Sequence, residues 1–159
     1  YYAARYNDSI RYRINYDRME KWYTKSADQG YAPAQVKLGI LYTQDAPGKK
    51  DLKKAAALFR AAAAQVDAEG QFELALLYLD GRDGGGDQAE AIALLRQSVA
   101  QGHADACRLM GTLYRKGLGV SRNPEVAREW YRAAALKNDA AVGEMLDVTR
   151  AGSGRAGKP

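Results

Sequence analysis

The stretch Met110-Gly111-Thr112-Leu113-Tyr114-Arg115-Lys116-Gly117-Leu118-Gly119-Val120, followed by Glu129-Trp130-Tyr131-Arg132-Ala133-Ala134, is one statement of a unit that the chain repeats. Moved back by 36 residues, Gly111, Leu113 and Tyr114 fall on Ala75, Leu77 and Tyr78; moved again, on Gly39, Leu41 and Tyr42. Trp130-Tyr131 falls in turn on Leu94-Leu95, Leu58-Phe59 and Trp22-Tyr23. No insertion is needed, and a period this strict marks a helical repeat array, an all-α architecture.

Within the register each repeat reads as two helices. Val36, Ile40 and Thr43 make one stripe at helical spacing, and Leu38, Leu41 and Tyr42 another, so a first helix has two usable faces. Asp51 is placed to cap one second helix, and Asn123 with Pro124 to begin another. Small residues at Gly39, Ala75 and Gly111 permit close approach of the partner helix. The array is expected to span 1–150: a partial repeat at 1–30, full repeats at about 31–66, 67–102 and 103–138, and a terminal helix at 140–150, with 151–159 a disordered tail. Extending the register to the start reads 1–6 as the last turns of a first helix, 7–15 as a loop and 17–29 as a second helix. That start implies an upstream cover for the first partial repeat.

Composition agrees. The 159 residues are 47% hydrophobic and 27% charged, enough for one domain with a core. No run approaches the ~20 apolar residues of a membrane-spanning helix, and no signal peptide is evident. The net charge is +5, but 19 acidic residues are interspersed with 24 basic ones, so no dense basic stripe points to nucleic acid. The single cysteine, Cys107, excludes an intramolecular disulfide.

At these residues the chain resembles the Sel-one-like repeat family, relatives of tetratricopeptide repeats. The third full unit carries the pattern most completely: Ala106, Met110, Gly111, Leu113, Tyr114, Gly117, Gly119, Val120, Asn123, Ala127, Trp130, Tyr131, Ala133 and Ala134. Departures are Leu58 and Leu94 in the Trp position and a loop before Asp51 without the Gly-x-Gly-Val form. The resemblance implies a right-handed α-solenoid superhelix of antiparallel helix pairs, an adaptor or scaffold role and no catalysis. It also implies work outside the cytoplasm, in the bacterial envelope or periplasm and its secretion machinery, or alternatively as an immunity protein that neutralises a toxic effector enzyme.

Candidate chemistry is sparse. Gly117-Leu118-Gly119-Val120 and Gly84-Gly85-Gly86 follow helices and lack a Gly-Lys-Ser/Thr continuation, so they read as helix–helix turns rather than phosphate cradles. His103 and Cys107 lie one helical turn apart, but a zinc site needs about four ligands, and they read as a turn histidine and a small buried thiol. No cofactor, metal site or catalytic residue is expected. The repeated aromatics Tyr42, Tyr78, Tyr114, Trp22 and Trp130 read as core.

By analogy with tetratricopeptide arrays the first helices line a concave groove. The positions there that the repeat does not dictate are Val36, Ile40 and Thr43; Phe72, Leu76 and Leu79; and Arg108, Thr112 and Arg115, with Lys116 beside them. An apolar centre running into a basic end fits a protein partner whose segment combines apolar and acidic residues. A second candidate surface is the N-terminal region, where Tyr12 and Tyr16 stand among Tyr1, Tyr2, Tyr6, Arg5, Arg11, Arg13 and Arg18, a composition enriched at interfaces.

Overall fold

The computed structural model describes residues 2–44, 50–81 and 87–136, with side chains from residue 15 onward. Those residues form α1 (Tyr2–Ala27), α2 (Ala32–Thr43), α3 (Leu52–Ala64), α4 (Ala68–Leu79), α5 (Gln88–Ala100), α6 (Ala104–Lys116) and α7 (Pro124–Ala135), with no strand among them. The fold is an all-α helical repeat. The expected terminal helix at 140–150, the tail, and the loops holding Pro47 and Gly84-Gly85-Gly86 lie outside the described residues.

Helix starts follow the register. Asp51, Asp87 and Asn123, 36 residues apart, each cap a second helix. Their side-chain oxygens accept from Lys54 N (3.0 Å), Glu90 N (2.7 Å), and both Glu125 N and Val126 N (3.1 Å each). Two hairpins close with the same backbone bond: Asp51 N donates to Tyr42 O and Asn123 N to Tyr114 O, both at 2.9 Å. Helix ends repeat as well. Tyr31 N donates to Ser26 O, Asp67 N to Ala62 O and His103 N to Ser98 O, the six-to-one bond of a Schellman turn. That turn needs a left-handed residue, and Gly30 and Gly102 supply it at φ 81° and 79°. In the middle repeat the same slot holds Val66 at φ 62°.

The chain divides into two compact units, Tyr1–Leu74 and Ala75–Pro159. In the first, Tyr16 and Ala27 of α1 pack with Ala34, Leu38 and Leu41 of α2, with Tyr23, Tyr42 and Leu58 at the edge. Gln35, buried beside them, is satisfied on both sides: its Nε2 donates to Ala27 O and its Oε1 accepts from Gln65 Nε2. Against α3, Gly39 lies under the Phe59 ring, where a Cβ would sit 2.8 Å from Cδ1. In the second unit a Cβ on Gly111 of α6 would sit 2.7 Å from the Tyr131 ring of α7. The close crossings expected at Gly39 and Gly111 are therefore present.

Two expectations are corrected. Residues 7–15 are not a loop but the middle of α1. The stretch holds no Gly or Pro, so nothing in it breaks a helix. Trp22 is not core: it is 67% exposed. Of the Trp-Tyr pair it is the second position that is buried, as Phe59, Leu95 and Tyr131 show, each without accessible surface.

Candidate interaction surfaces

The expected groove positions divide by burial. Val36 has no accessible surface and belongs to the core of α2, so it is not a contact residue. One turn on, Ile40 and Thr43 are half-buried, as are Phe72, Leu76 and Leu79 of α4. Thr43 turns its hydroxyl back to Ile40 O at 2.7 Å.

On α6, Arg108, Thr112 and Arg115 are half-buried and Lys116 is exposed. Arg108 reaches Asp105 at 3.2 Å. Thr112 Oγ1 bonds Arg108 O and shares a 3.1 Å hydrogen bond with the Tyr131 hydroxyl. The Arg115 guanidinium stands 6.0 Å from the Tyr131 ring centroid. The basic end of this face thus has an internal role: Arg115 and Lys116 lie in the last turn, where cations complement the helix dipole. The turn that follows is glycine-built, with Gly117 at φ 73° and Gly119 at φ 70°. A Cβ on Gly119 would meet Gln88 and Ile92 of α5 at 2.7–2.8 Å, so the turn lies directly on that helix.

At the N-terminal end, Tyr16 is buried and its hydroxyl donates to Leu41 O at 2.8 Å. It ties α1 to α2 and is corrected from contact residue to core residue. The side chain of Tyr12 lies outside the described ones. What sequence reasoning missed is the opposite face of α1. There Asp17, Arg18, Lys21, Trp22 and Lys25 line an open cavity of about 610 Å³. The signal was present as Arg18, Lys21 and Lys25 around Trp22 at helical spacing, but the repeat register assigned the indole to the core.

Several other polar groups serve the fold. His103 caps α6 through Nδ1, which accepts from Ala106 N at 3.2 Å, and Cys107 is buried against Ala134. Lys37 donates to Glu69 at 2.9 Å, and that hydrogen bond holds its ammonium above its ordinary value. The Lys54 backbone N–H on Asp51 holds that carboxyl below its ordinary value. Among the described residues no group of three or more His, Cys, Asp or Glu is arranged to hold a metal ion, and no helix is long and apolar enough to cross a membrane.

Helix hairpins repeated in register, with capped ends and shared turns, define an all-α helical-repeat protein. The chain belongs to the Sel1 repeat family, whose model matches residues 15–31, 32–67, 68–103 and 104–139. Sel1 repeat proteins are generally protein-interaction modules and typically non-catalytic. Among solved structures the chain is similar to c5321, a protective antigen of uropathogenic Escherichia coli strains with an SLR fold. The TM-score is 0.72 at 30% identity, over 79% of this chain and 27% of that one. It is also similar to a Sel1 repeat protein from Oxalobacter formigenes, with a TM-score of 0.68 at 29% identity over 83% of this chain and 57% of that one. The chain thus spans about a quarter of the first and just over half of the second. No curated protein matches it.

Proposed function

We propose that this chain is an adaptor or scaffold that recognises a protein segment on its first-helix faces, each compact unit offering its own. The observation that supports this reading is the split along those helices. Positions the repeat dictates are buried, as at Leu38, Leu41, Met110 and Leu113. Ile40, Phe72, Leu76 and Leu79 stay partly open, as do Arg108 and Arg115, and Lys116 is exposed. Half-open aliphatic and aromatic side chains beside cations suit a segment that mixes apolar and acidic residues. Work in a bacterial envelope or secretion setting is the context we favour, supported by the likeness to a protective antigen of uropathogenic Escherichia coli.

Site-specific photo-crosslinking in the native cell tests the reading. A crosslinker replacing Ile40 or Lys116 should capture a protein partner, whereas one replacing exposed second-helix residues, Lys53, Arg96 or Arg132, should not. Capture confined to the second helices would overturn the assignment.

A further inference from the structure

A different surface points to a second kind of contact. The face of α1 turned away from α2 carries Arg18, Met19, Lys21, Trp22 and Lys25, while Tyr16 and Ala27 are spent on the core with α2. Met19 is 43% and Trp22 67% exposed, two large apolar side chains three residues apart and therefore neighbours on the helix surface. The cavity beside them is walled by the indole and by the stems of Arg18, Lys21 and Lys25.

The repeat itself shows what such a tryptophan is fitted to. Trp22 and Trp130 occupy the same register position, three periods apart. Trp130 is half-buried in a cluster with Val99 of α5, Cys107 of α6 and Ala133 to Ala135 of its own helix. Small apolar side chains from two other helices supply that cluster. The rim adds a sign: among the described residues it holds three cations, Arg18, Lys21 and Lys25, and one carboxylate, Asp17. A second copy of this chain docking there face to face would set three cations against three, so the charge disfavours it.

We propose that the Trp22 face of α1 is a docking site for an acidic amphipathic helix of a protein partner. Its small aliphatic stripe covers Met19 and Trp22, and its flanking carboxylates meet Arg18, Lys21 and Lys25. This contact lies on α1 and shares no residue with the first-helix faces proposed above.

The test uses the full chain and a labelled synthetic helical peptide with a Val/Ala/Leu stripe flanked by glutamates, beside the same peptide with lysines in their place. Binding is read by anisotropy of the peptide. The emission of Trp22 is read in a Trp130→Phe variant, where it is the sole tryptophan. The glutamate peptide should bind saturably, roughly tenfold or more tighter than the lysine peptide, and move the Trp22 emission to the blue. Trp22→Ala should abolish binding, and Lys21→Glu/Lys25→Glu should reverse the preference between the two peptides. The proposal is overturned by equal affinity for both peptides or by binding that survives Trp22→Ala. A blue shift that grows with protein concentration alone would assign the face to a second copy. Emission already blue in the dilute chain would assign it to the chain's own segments. Either result would also overturn the proposal.

Discussion

Adding one methyl group at Gly111 tests how the helix pairs are held. A Cβ there would lie 2.7, 2.8 and 3.0 Å from Cε1, Cδ1 and Cζ of Tyr131. The ring cannot swing aside freely, because it has no accessible surface and its hydroxyl is bonded to Thr112. Two effects oppose each other. Replacing a mid-helix Gly by Ala favours the helix by about 1 kcal/mol. Overpacking a dense crossing costs roughly 1–3 kcal/mol. Gly111→Ala should therefore destabilise by about 1 kcal/mol net. Tyr131→Leu removes the ring and, in that background, Gly111→Ala should stabilise by about 1 kcal/mol, leaving a coupling of about 2 kcal/mol. The middle repeat already carries this combination, Ala75 with Leu95, both without accessible surface. Urea unfolding of the four proteins, with amide exchange in α6 and α7, gives the cycle. If Gly111→Ala stabilises both backgrounds equally, the ring contact does not control the crossing and the reasoning fails.

Three further outcomes are expected. Val66→Gly should stabilise by up to about 1 kcal/mol in thermal unfolding, since a left-handed non-glycine residue costs roughly 1–2 kcal/mol and glycine returns part of that as backbone entropy; Val66 is 64% exposed, so little burial is lost. Tyr16→Phe should cost about 1 kcal/mol through loss of the bond to Leu41 O, visible as a lower urea midpoint with unchanged slope. Because the folded state holds the Asp51 carboxyl below its ordinary 3.8, its contribution is complete above that value and fades as pH falls through the lower folded-state value. Amide exchange at Lys54 should accelerate over that acid window in the wild type, and Asp51→Asn should remove the acid dependence.

The register made the helices, the caps and the turns legible because these are local. Asp51 and Asn123 cap where their position in the period places them, and Gly117 and Gly119 take the left-handed turn. It could not decide which side of a helix faces what. Val36 and Ile40 lie one turn apart on the same stripe, yet Val36 is buried and Ile40 half-open. Tyr16 stands outside the repeat pattern and so read as an interface residue, but its hydroxyl finds a backbone carbonyl inside the core. Extending the period toward the N-terminus also supplied a loop that no residue in 7–15 enforces.

The same limit explains Trp22. A repeat specifies slots, and a slot is buried only when its neighbours are in place. Where the opposing residue is supplied within a unit, size matching across the hairpin is local enough to follow. Gly39 lies under Phe59 and Gly111 under Tyr131, while the middle repeat holds the buried Ala75 and the smaller Leu95 at the same 20-residue separation. These residues act as pairs, so exchanging one member alone opens a void or forces a clash, whereas exchanging both moves the crossing from one solution to another. The Trp position is different in kind. The same residue type is half-buried in α7, where Trp130 packs on the Cys107–Ala134 cluster, and 67% exposed in α1 as Trp22. The side chain that packs into a repeat in one place is the one our proposal assigns to recognition in another.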